Sequence, residues 1–339
     1  MMVKVIVCIT TYNLEKYISK AIDSVLCQVT NFDFKIIVAD DCSTDGTLKI
    51  LLDYKKTFPE KIEILTADNN QGSLANSNRL FDGIKCEYLS FLDGDDYWTK
   101  ETRLQEQVDF LDKHPNYSMC AGNTQYLIEE VLGDLVVPKK KLNKTFYFRD
   151  YLEGSMPFLH TSSILLRNNI FVNGIPRCYK DAVGTVEECA LRGEDFRRIL
   201  HLEKGPAFVM GDVVSVYRIH EKGIWQGSSI IKRTIETTIS AYFYNKYFGK
   251  RYGKVFENRF QRAYAVLLQA MLINQSFASG YFLSNKESIL FTGLLNDISI
   301  QNPIYNKSAS KAKMFFVSFL LKIIRKRRKE YVYTRVCCL

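Results

Sequence analysis

Residues 91–98 read Phe-Leu-Asp-Gly-Asp-Asp-Tyr-Trp, so an apolar run delivers Asp93, Asp95 and Asp96 into a turn. Carboxylates this close repel one another unless a positive charge sits among them. A divalent cation with oxygen ligands, Mg2+ or Mn2+, supplies that charge, and such ions commonly hold substrate phosphates as well. The plain structural alternative is an Asp/Gly-rich surface turn.

Four further segments carry chemistry. In residues 39–47, Ala-Asp-Asp-Cys-Ser-Thr-Asp-Gly-Thr, Asp41 is a candidate acceptor for the imide N–H of a uracil ring. Asp45 reads as a turn or cap residue, and it or Thr44 can cap the next helix. In residues 9–13, Thr10 offers polar contacts and Tyr12 a flat ring for a base to stack on, while Asn13 also reads as an N-cap. Glu194 and Asp195 open an apparent helix, where the dipole favours acids. Their functional reading is a general base aimed at an acceptor hydroxyl. His220 leaves an apparent strand for a Gly-containing loop, and as one of only four histidines it is a candidate metal ligand. Trp225, five residues on, fits either a core or a sugar site.

These residues need a scaffold. Val3–Ile9, Phe34–Ala39, Lys61–Leu65 and Tyr88–Leu92 are short apolar runs of the kind that form buried parallel strands. Helical patterns alternate with them: Leu14 to about Gln28, Thr47–Lys56, Ser73–Ile84 and Thr102–Lys113. The alternation predicts an α/β fold, a parallel sheet with helices on both faces, whose ligands bind at the carboxyl ends of the strands. The clusters Thr10–Asn13, Asp40–Asp45 and Asp93–Asp96 all fall at such ends. Between 117 and 220 the pattern is less regular, with short strands at Ser162–Leu166 and Val213–Ile219 and a helix at Glu194–Leu202. Beyond 230 it is helical: Ile231–Tyr247, Phe256–Ile273, Lys286–Leu295 and Lys311–Lys329. The expected division is a catalytic domain over 1–228 and a helical region over 229–339.

Charge is unevenly placed. The chain has 46 Lys/Arg against 37 Asp/Glu, and nine of the basic residues fall in 307–329, which contains no acid. The remainder is balanced, which excludes a nucleic-acid footprint over the whole protein. The basic tail, 307–330, combines an apolar stretch too short to span a bilayer with a Lys/Arg cluster. It is expected to lie on an anionic membrane surface, with packing on the catalytic domain as the alternative. The nine cysteines include no Cys-x-x-Cys pair, so reduced thiols are expected rather than a zinc site. No cleavable leader is read at the N-terminus, so the expected location is cytoplasmic, peripheral on the inner face of the membrane.

In order and spacing, ITTYN, DDCSTDGT, NQGSLANSNR, FLDGDDYW, GEDF and YRIHEKGIW resemble family 2 glycosyltransferases of the GT-A fold. The resemblance runs over about residues 3–225. It implies a Rossmann-like nucleotide-diphospho-sugar transferase fold with a C-terminal helical extension. Thr10, Tyr12, Asn13, Asp41 and Asp93 would hold the nucleotide. Asp93 and Asp95 would form the DxD motif, binding the metal with His220. Asp195 would be the catalytic base with Glu194 beside it, and Trp98 and Trp225 would lie at the acceptor or sugar site. The partners implied are a nucleotide-sugar donor, UDP by resemblance, and a saccharide or lipid-linked acceptor. The resemblance is to bacterial enzymes that build O-antigen, lipopolysaccharide or capsule, and implies such a role here.

Two departures bear on this. The QxxRW motif and membrane spans of processive members are missing, which implies a single-addition enzyme. Asn76 and Ser77 stand where the family often has Arg or Ala, which leaves the diphosphate contacts open. Two rivals remain: a nucleotidyltransferase, disfavoured because no glycine-rich loop follows the first strand, and a degenerate member that only binds a glycan or partner.

Overall fold

The computed structural model describes residues 3–221, 223 and 228–273, with side chains throughout except at 231 and 268–273. Strand β1 (Val3–Thr11) shows why a sheet covered on both faces forms. Val5, Val7 and Ile9 enter one core cluster while Ile6 and Cys8 enter the other, as the two-residue period of a strand requires. Helix α1 (Ile18–Leu26) lays Ile18, Ala21, Ile22 and Val25 on the first face. Each such Ile or Val contributes roughly 1.5–3 kcal/mol by burial.

The strand–helix alternation continues through β2 (Phe34–Asp40), α2 (Thr47–Thr57), β3 (Ile62–Leu65), α3 (Ser73–Phe81) and β4 (Cys86–Asp93). The sequence places these within a few residues. Asn13, however, does not cap α1, which starts at Ile18 with Tyr17 at its N-cap. Asn13 takes a left-handed φ of 55°, and its Oδ1 accepts the Thr44 N–H at 2.7 Å. Its side chain is thus spent on tying two loops together. The N-cap position of α2 is Gly46, although Asp45 Oδ1 accepts the Thr47 N–H at 2.9 Å, as a turn residue would.

After β5 (Tyr97–Trp98) and α4 (Arg103–Lys113) comes a hairpin, β6 (Met119–Ile128) and β7 (Val131–Leu135), then β8 (Lys144–Phe146), α5 (Phe148–Glu153) and β9 (Ile164–Arg167). A 3-10 turn over Thr161–Ser163 precedes β9. Two short helices, α6 (Arg177–Asp181) and α7 (Glu188–Leu191), lead to α8 (Glu194–Leu202) and β10 (Ala207–Ile219). Helices α9 (Ile230–Tyr252) and α10 (Lys254–Ile273) end the described chain. The sheet order is β3-β2-β1-β4-β9-β6-β10-β5, with β7 on β6 and β8 on β10. Strands β1 to β4 are mutually parallel, and β9 runs antiparallel to β4 and β6. The β6–β10 half of the sheet is the part the sequence pattern did not resolve.

The described residues all fall within one compact unit. Phe243, Tyr244 and Phe248 of α9 and Phe256 of α10 sit in the same core cluster as α3 and α8. The expected helices Lys286–Leu295 and Lys311–Lys329, the basic tail and Trp225 lie outside the described residues. No helix among the described residues is long and apolar enough to cross a membrane.

Candidate active site

Parallel register brings the polar clusters to one rim. Thr11 pairs with Asp40 across β1–β2, and Thr10 with Asp93 across β1–β4. The chain then turns: Asp41 N–H donates to Thr11 O at 3.0 Å, and Gly94 N–H to Thr10 O at 3.1 Å. Gly94 is required there by space. A Cβ on it would lie 3.0 Å from Leu14 Cδ1 and from Thr10 O.

On the nucleotide side, Asp40 is buried and holds the Ser43 hydroxyl at 2.5 Å and the Ser43 N–H at 3.0 Å. Asp41 is also buried; its two oxygens accept the N–H groups of Gln71 and Gly72 at 2.8 and 2.9 Å. Gly72 takes φ 91°, which favours glycine. Asp41 therefore ties the loop before α3 to the strand end. Tyr12 is exposed on the same rim. The Asn13 N–H donates to Ser43 Oγ at 2.9 Å, which fixes the loop below that ring.

The acidic turn sorts its three carboxylates. Thr10 Oγ1 donates to Asp93 Oδ1 at 3.5 Å. Burial, with the charges of Asp95 and Glu194 nearby, raises the Asp93 carboxyl to about 7. Asp95 faces outward and meets His220, whose Nε2 lies 3.0 Å from Asp95 Oδ2. Asp96 is buried, accepting the Ser162 hydroxyl at 2.6 Å and the Arg218 N–H at 3.0 Å. Burial and its two acidic neighbours raise it well above the carboxylate range. His160 Nδ1 lies 3.6 Å from Asp96 Oδ2, and its ring stacks on Tyr217 at 4.2 Å. Burial pushes that imidazole down to about 4.

Ligand atoms of Asp93, Asp96 and His160 all lie within 4.8 Å of one another. The sequence did not single out His160; it stands in a short loop with no motif around it. The donor chemistry fits a hard divalent cation, with carboxylate oxygens and one imidazole either from this inner group or from Asp93, Asp95 and His220. Carboxylates crowded enough to hold a proton near neutrality are those a bound cation would relieve.

Glu194 and Asp195 open α8 as expected. Asp195 Oδ1 pairs with Arg198, and its Oδ2 accepts the Tyr151 hydroxyl at 3.1 Å. Glu194 Oε2 accepts the Thr161 hydroxyl at 3.1 Å. Trp98 is a correction. It is buried, its indole N–H donates to Ser162 O at 2.9 Å, and the Arg103 guanidinium lies 3.9 Å over its ring. The ring is spent on packing the turn from behind and has no face to offer a sugar.

A mixed sheet with an acidic turn at the carboxyl end of β4 defines the GT-A class of fold. A solved structure of Staphylococcus aureus TarS in complex with UDP-GlcNAc superposes with a TM-score of 0.52 at 20% identity, over 87% of this chain and 88% of that one. Residues 6–173 match the profile described as glycosyl transferase family 2, and over that stretch the chain belongs to this family.

An uncharacterized protein of Mycobacterium tuberculosis is 28% identical over 223 residues, 66% of this chain and 61% of that protein. The chain therefore spans somewhat under two thirds of this relative's length. The Bacillus subtilis putative teichuronic acid biosynthesis glycosyltransferase TuaG is 37% identical over 101 residues, 30% of this chain and 39% of its own. The Staphylococcus aureus poly(ribitol-phosphate) beta-N-acetylglucosaminyltransferase TarS is 37% identical over 114 residues, 33% of this chain and 20% of its own.

Proposed function

We propose that the chain is an inverting, metal-dependent glycosyltransferase. It moves a sugar from a nucleotide-sugar, with UDP the nucleotide, to a saccharide or lipid-linked acceptor in the synthesis of a bacterial surface glycan. The observation that carries this reading is the acidic turn of Asp93, Asp95 and Asp96 at the end of β4, with Glu194 of α8 near enough for its charge to raise Asp93, within a chain whose residues 6–173 belong to glycosyl transferase family 2.

In this reading Tyr12 stacks on the base and Asp41 lies within the wall that faces it. Asp93, Asp95 and His220 hold Mg2+ or Mn2+, with Asp96 and His160 behind them. When bound, the ion acts as a Lewis acid that neutralises charge on the departing diphosphate. Asp195 takes the proton of the acceptor hydroxyl as that oxygen attacks the anomeric carbon. Arg198 and the Tyr151 hydroxyl hold both its oxygens in place, so the carboxylate is oriented before the acceptor arrives. A single displacement inverts the anomeric centre and needs no enzyme nucleophile. The TuaG and TarS names support a surface-polymer acceptor.

The basic tail would hold the chain on the inner face of the cytoplasmic membrane. Its nine Lys/Arg without an acid over 307–329 support that role. Deleting 307–339 should then shift the protein out of membrane fractions, and unchanged partitioning would refute the anchoring. Transfer itself is tested by incubating the protein with UDP-, GDP- and dTDP-sugars, with Mn2+ or EDTA, and measuring free nucleotide. Metal-dependent release from one donor is expected. No release and no nucleotide binding from any donor would overturn the reading.

A further inference from the structure

With Trp98 buried, the rings that can meet a sugar lie elsewhere. Four rings form a row beside the acidic turn. His160 Nδ1 lies 3.6 Å from Asp96 Oδ2, and its ring stacks on Tyr217 with centroids 4.2 Å apart and planes at 26°. Tyr217 meets Tyr126, its register partner across β6–β10, at 5.8 Å. In the other direction the Phe158 ring stands edge-on to His160 at 6.3 Å. The Arg198 guanidinium, which pairs with Asp195, lies 5.8 Å from the Phe158 ring. The row thus runs from the neighbourhood of Asp195, past the acidic turn, towards β7.

Strand alternation sets this strip. Ser215 and Tyr217 of β10 share a face with Thr124 and Tyr126 of β6, while Val216 and Leu127 are buried on the other. The Thr124 and Ser215 hydroxyls are buried and satisfy each other at 2.8 Å. One step along the strands the strip opens, and Tyr126 and Tyr217 are only half-buried. Neither phenol makes a hydrogen bond among the described residues, and neither oxygen is sealed from solvent. Burial and the charges of Asp96, Asp93, Asp95 and Glu194 raise the Tyr217 phenol, so it keeps its proton and stays a donor. On β7 a Cβ at Gly133 would lie 3.6 Å from Tyr126 Cβ, so glycine adds no side chain on that flank.

A sugar ring has a face of C–H groups and a rim of hydroxyls. The C–H face suits the negative face of an aromatic ring, and the rim needs donors and acceptors beside it. A half-exposed tyrosine ring next to a second, unspent phenol offers both. The strip also lies away from the nucleotide side: in the sheet order β4 and β9 separate β1 and β2, which carry Tyr12 and Asp41, from β6 and β10.

We propose that Tyr126 and Tyr217 form the subsite for the acceptor saccharide, one sugar ring stacking on Tyr126 while the Tyr217 hydroxyl donates to one of its oxygens. The occupant is a cyclic sugar and not an acyclic polyol. This rests on the transferase reading above and narrows its acceptor class.

The test is saturation-transfer difference NMR of the full chain in Mg2+ and saturating UDP. The probes are the methyl β-glycosides of glucose, galactose and N-acetylglucosamine, with ribitol as the acyclic control. Calorimetric titration of UDP alone is the reference. At least one glycoside should receive saturation at its ring protons well above ribitol. Tyr126→Ala should weaken that glycoside about fivefold to tenfold, the worth of one aromatic contact. Tyr126→Phe should keep it, and Tyr217→Phe should weaken it a few-fold through the lost hydrogen bond. UDP affinity should be unchanged in all three.

Tyr126→Leu keeps bulk without a flat face, and serves if the Ala variant fails to fold. No transfer to any glycoside, equal transfer to ribitol, or binding that survives both Tyr126→Ala and Tyr126→Leu overturns the proposal. A fall in UDP affinity in these variants also overturns it, by placing the ring on the nucleotide. Absence of UDP binding in the wild type would instead defeat the transferase reading, and this inference with it.

Discussion

His220 Nε2 and Asp95 Oδ2 lie 3.0 Å apart, joining the acidic turn after β4 to the end of β10 across 125 positions of sequence. Arg218, two residues earlier, reinforces the joint: its Nε donates to Asp95 O at 3.2 Å and its guanidinium sits 4.7 Å over the Tyr17 ring. Its other end pairs with Glu130. Asp95 and His220 are thus held together before any ion arrives. His220→Ala is expected to weaken Mn2+ binding by about tenfold or more, since even outer groups at metal sites are worth that much. Manganese titration monitored by its electron paramagnetic resonance signal reads this directly, and unchanged affinity would remove His220 from the site.

Asp195 and Tyr151 make a separable pair. Asp195→Asn keeps the shape but not the proton acceptor, so turnover should fall by about 100-fold or more while UDP binding holds. Tyr151→Phe removes only one hydrogen bond, worth about 1 kcal/mol, and turnover should drop by a few-fold. Steady-state rates beside UDP titrations separate the two. Near-normal turnover in Asp195→Asn would move the base elsewhere.

Gly94 has no room for a methyl group, with Leu14 Cδ1 and Thr10 O each 3.0 Å from where a Cβ would stand. Gly94→Ala should cost about 1–3 kcal/mol through strain in the turn and weaken metal binding, because Asp93 and Asp95 flank it. Urea unfolding and manganese titration of the same variant check both halves. By contrast Gly205→Ala, whose Cβ would meet Asn116 O at 2.3 Å, should lose stability through the backbone there and leave metal affinity intact.

The parallel half of the fold was readable because each strand is a short apolar run ending in polar residues, so sequence order alone places Thr10, Asp40 and Asp93 on one rim. Glu194–Leu202 was readable for a similar reason, its helical period being unbroken. The hairpin β6–β7 was not readable. Asn123, Thr124 and Gln125 interrupt its apolar pattern, and they bond to partners elsewhere in the chain, such as Val137 O for Asn123 Nδ2 at 2.9 Å and Ser215 Oγ for Thr124 Oγ1 at 2.8 Å. The burial of Trp98 and the nearness of His160 to Asp96 depend on the 3-10 turn over Thr161–Ser163, a tertiary arrangement with no periodic signature. Asn13 shows the opposite error: a residue with good capping chemistry was claimed by a loop 31 residues away.

Acid should take stability away at the buried histidines. Burial holds His201 down to about 4, against 6.5 for the free group, with its Nδ1 at 2.8 Å from Arg197 O. Between those values the unfolded chain binds a proton that the folded chain refuses, so stability falls as pH drops from 6.5 to 4 and levels off below. The loss amounts to about 3 kcal/mol for one such group, and His160, also near 4, adds to it. Asp93 and Asp96, whose raised carboxyls take up protons in the folded chain, act the other way over the same range, so the test is the difference between variants: the change in urea midpoint from pH 7 to pH 5 should be less unfavourable in His201→Gln than in the wild type. The same change in both proteins would show that His201 is not held neutral.

The central claim is that the acidic turn holds a cation which in turn holds a nucleotide diphosphate. Titration of UDP into the wild type and into Asp95→Ala, each with Mn2+ and with EDTA, tests it most directly. The account predicts UDP binding that needs Mn2+ in the wild type and is lost or greatly weakened in Asp95→Ala. UDP binding of equal strength with EDTA, or undiminished in Asp95→Ala, would contradict it.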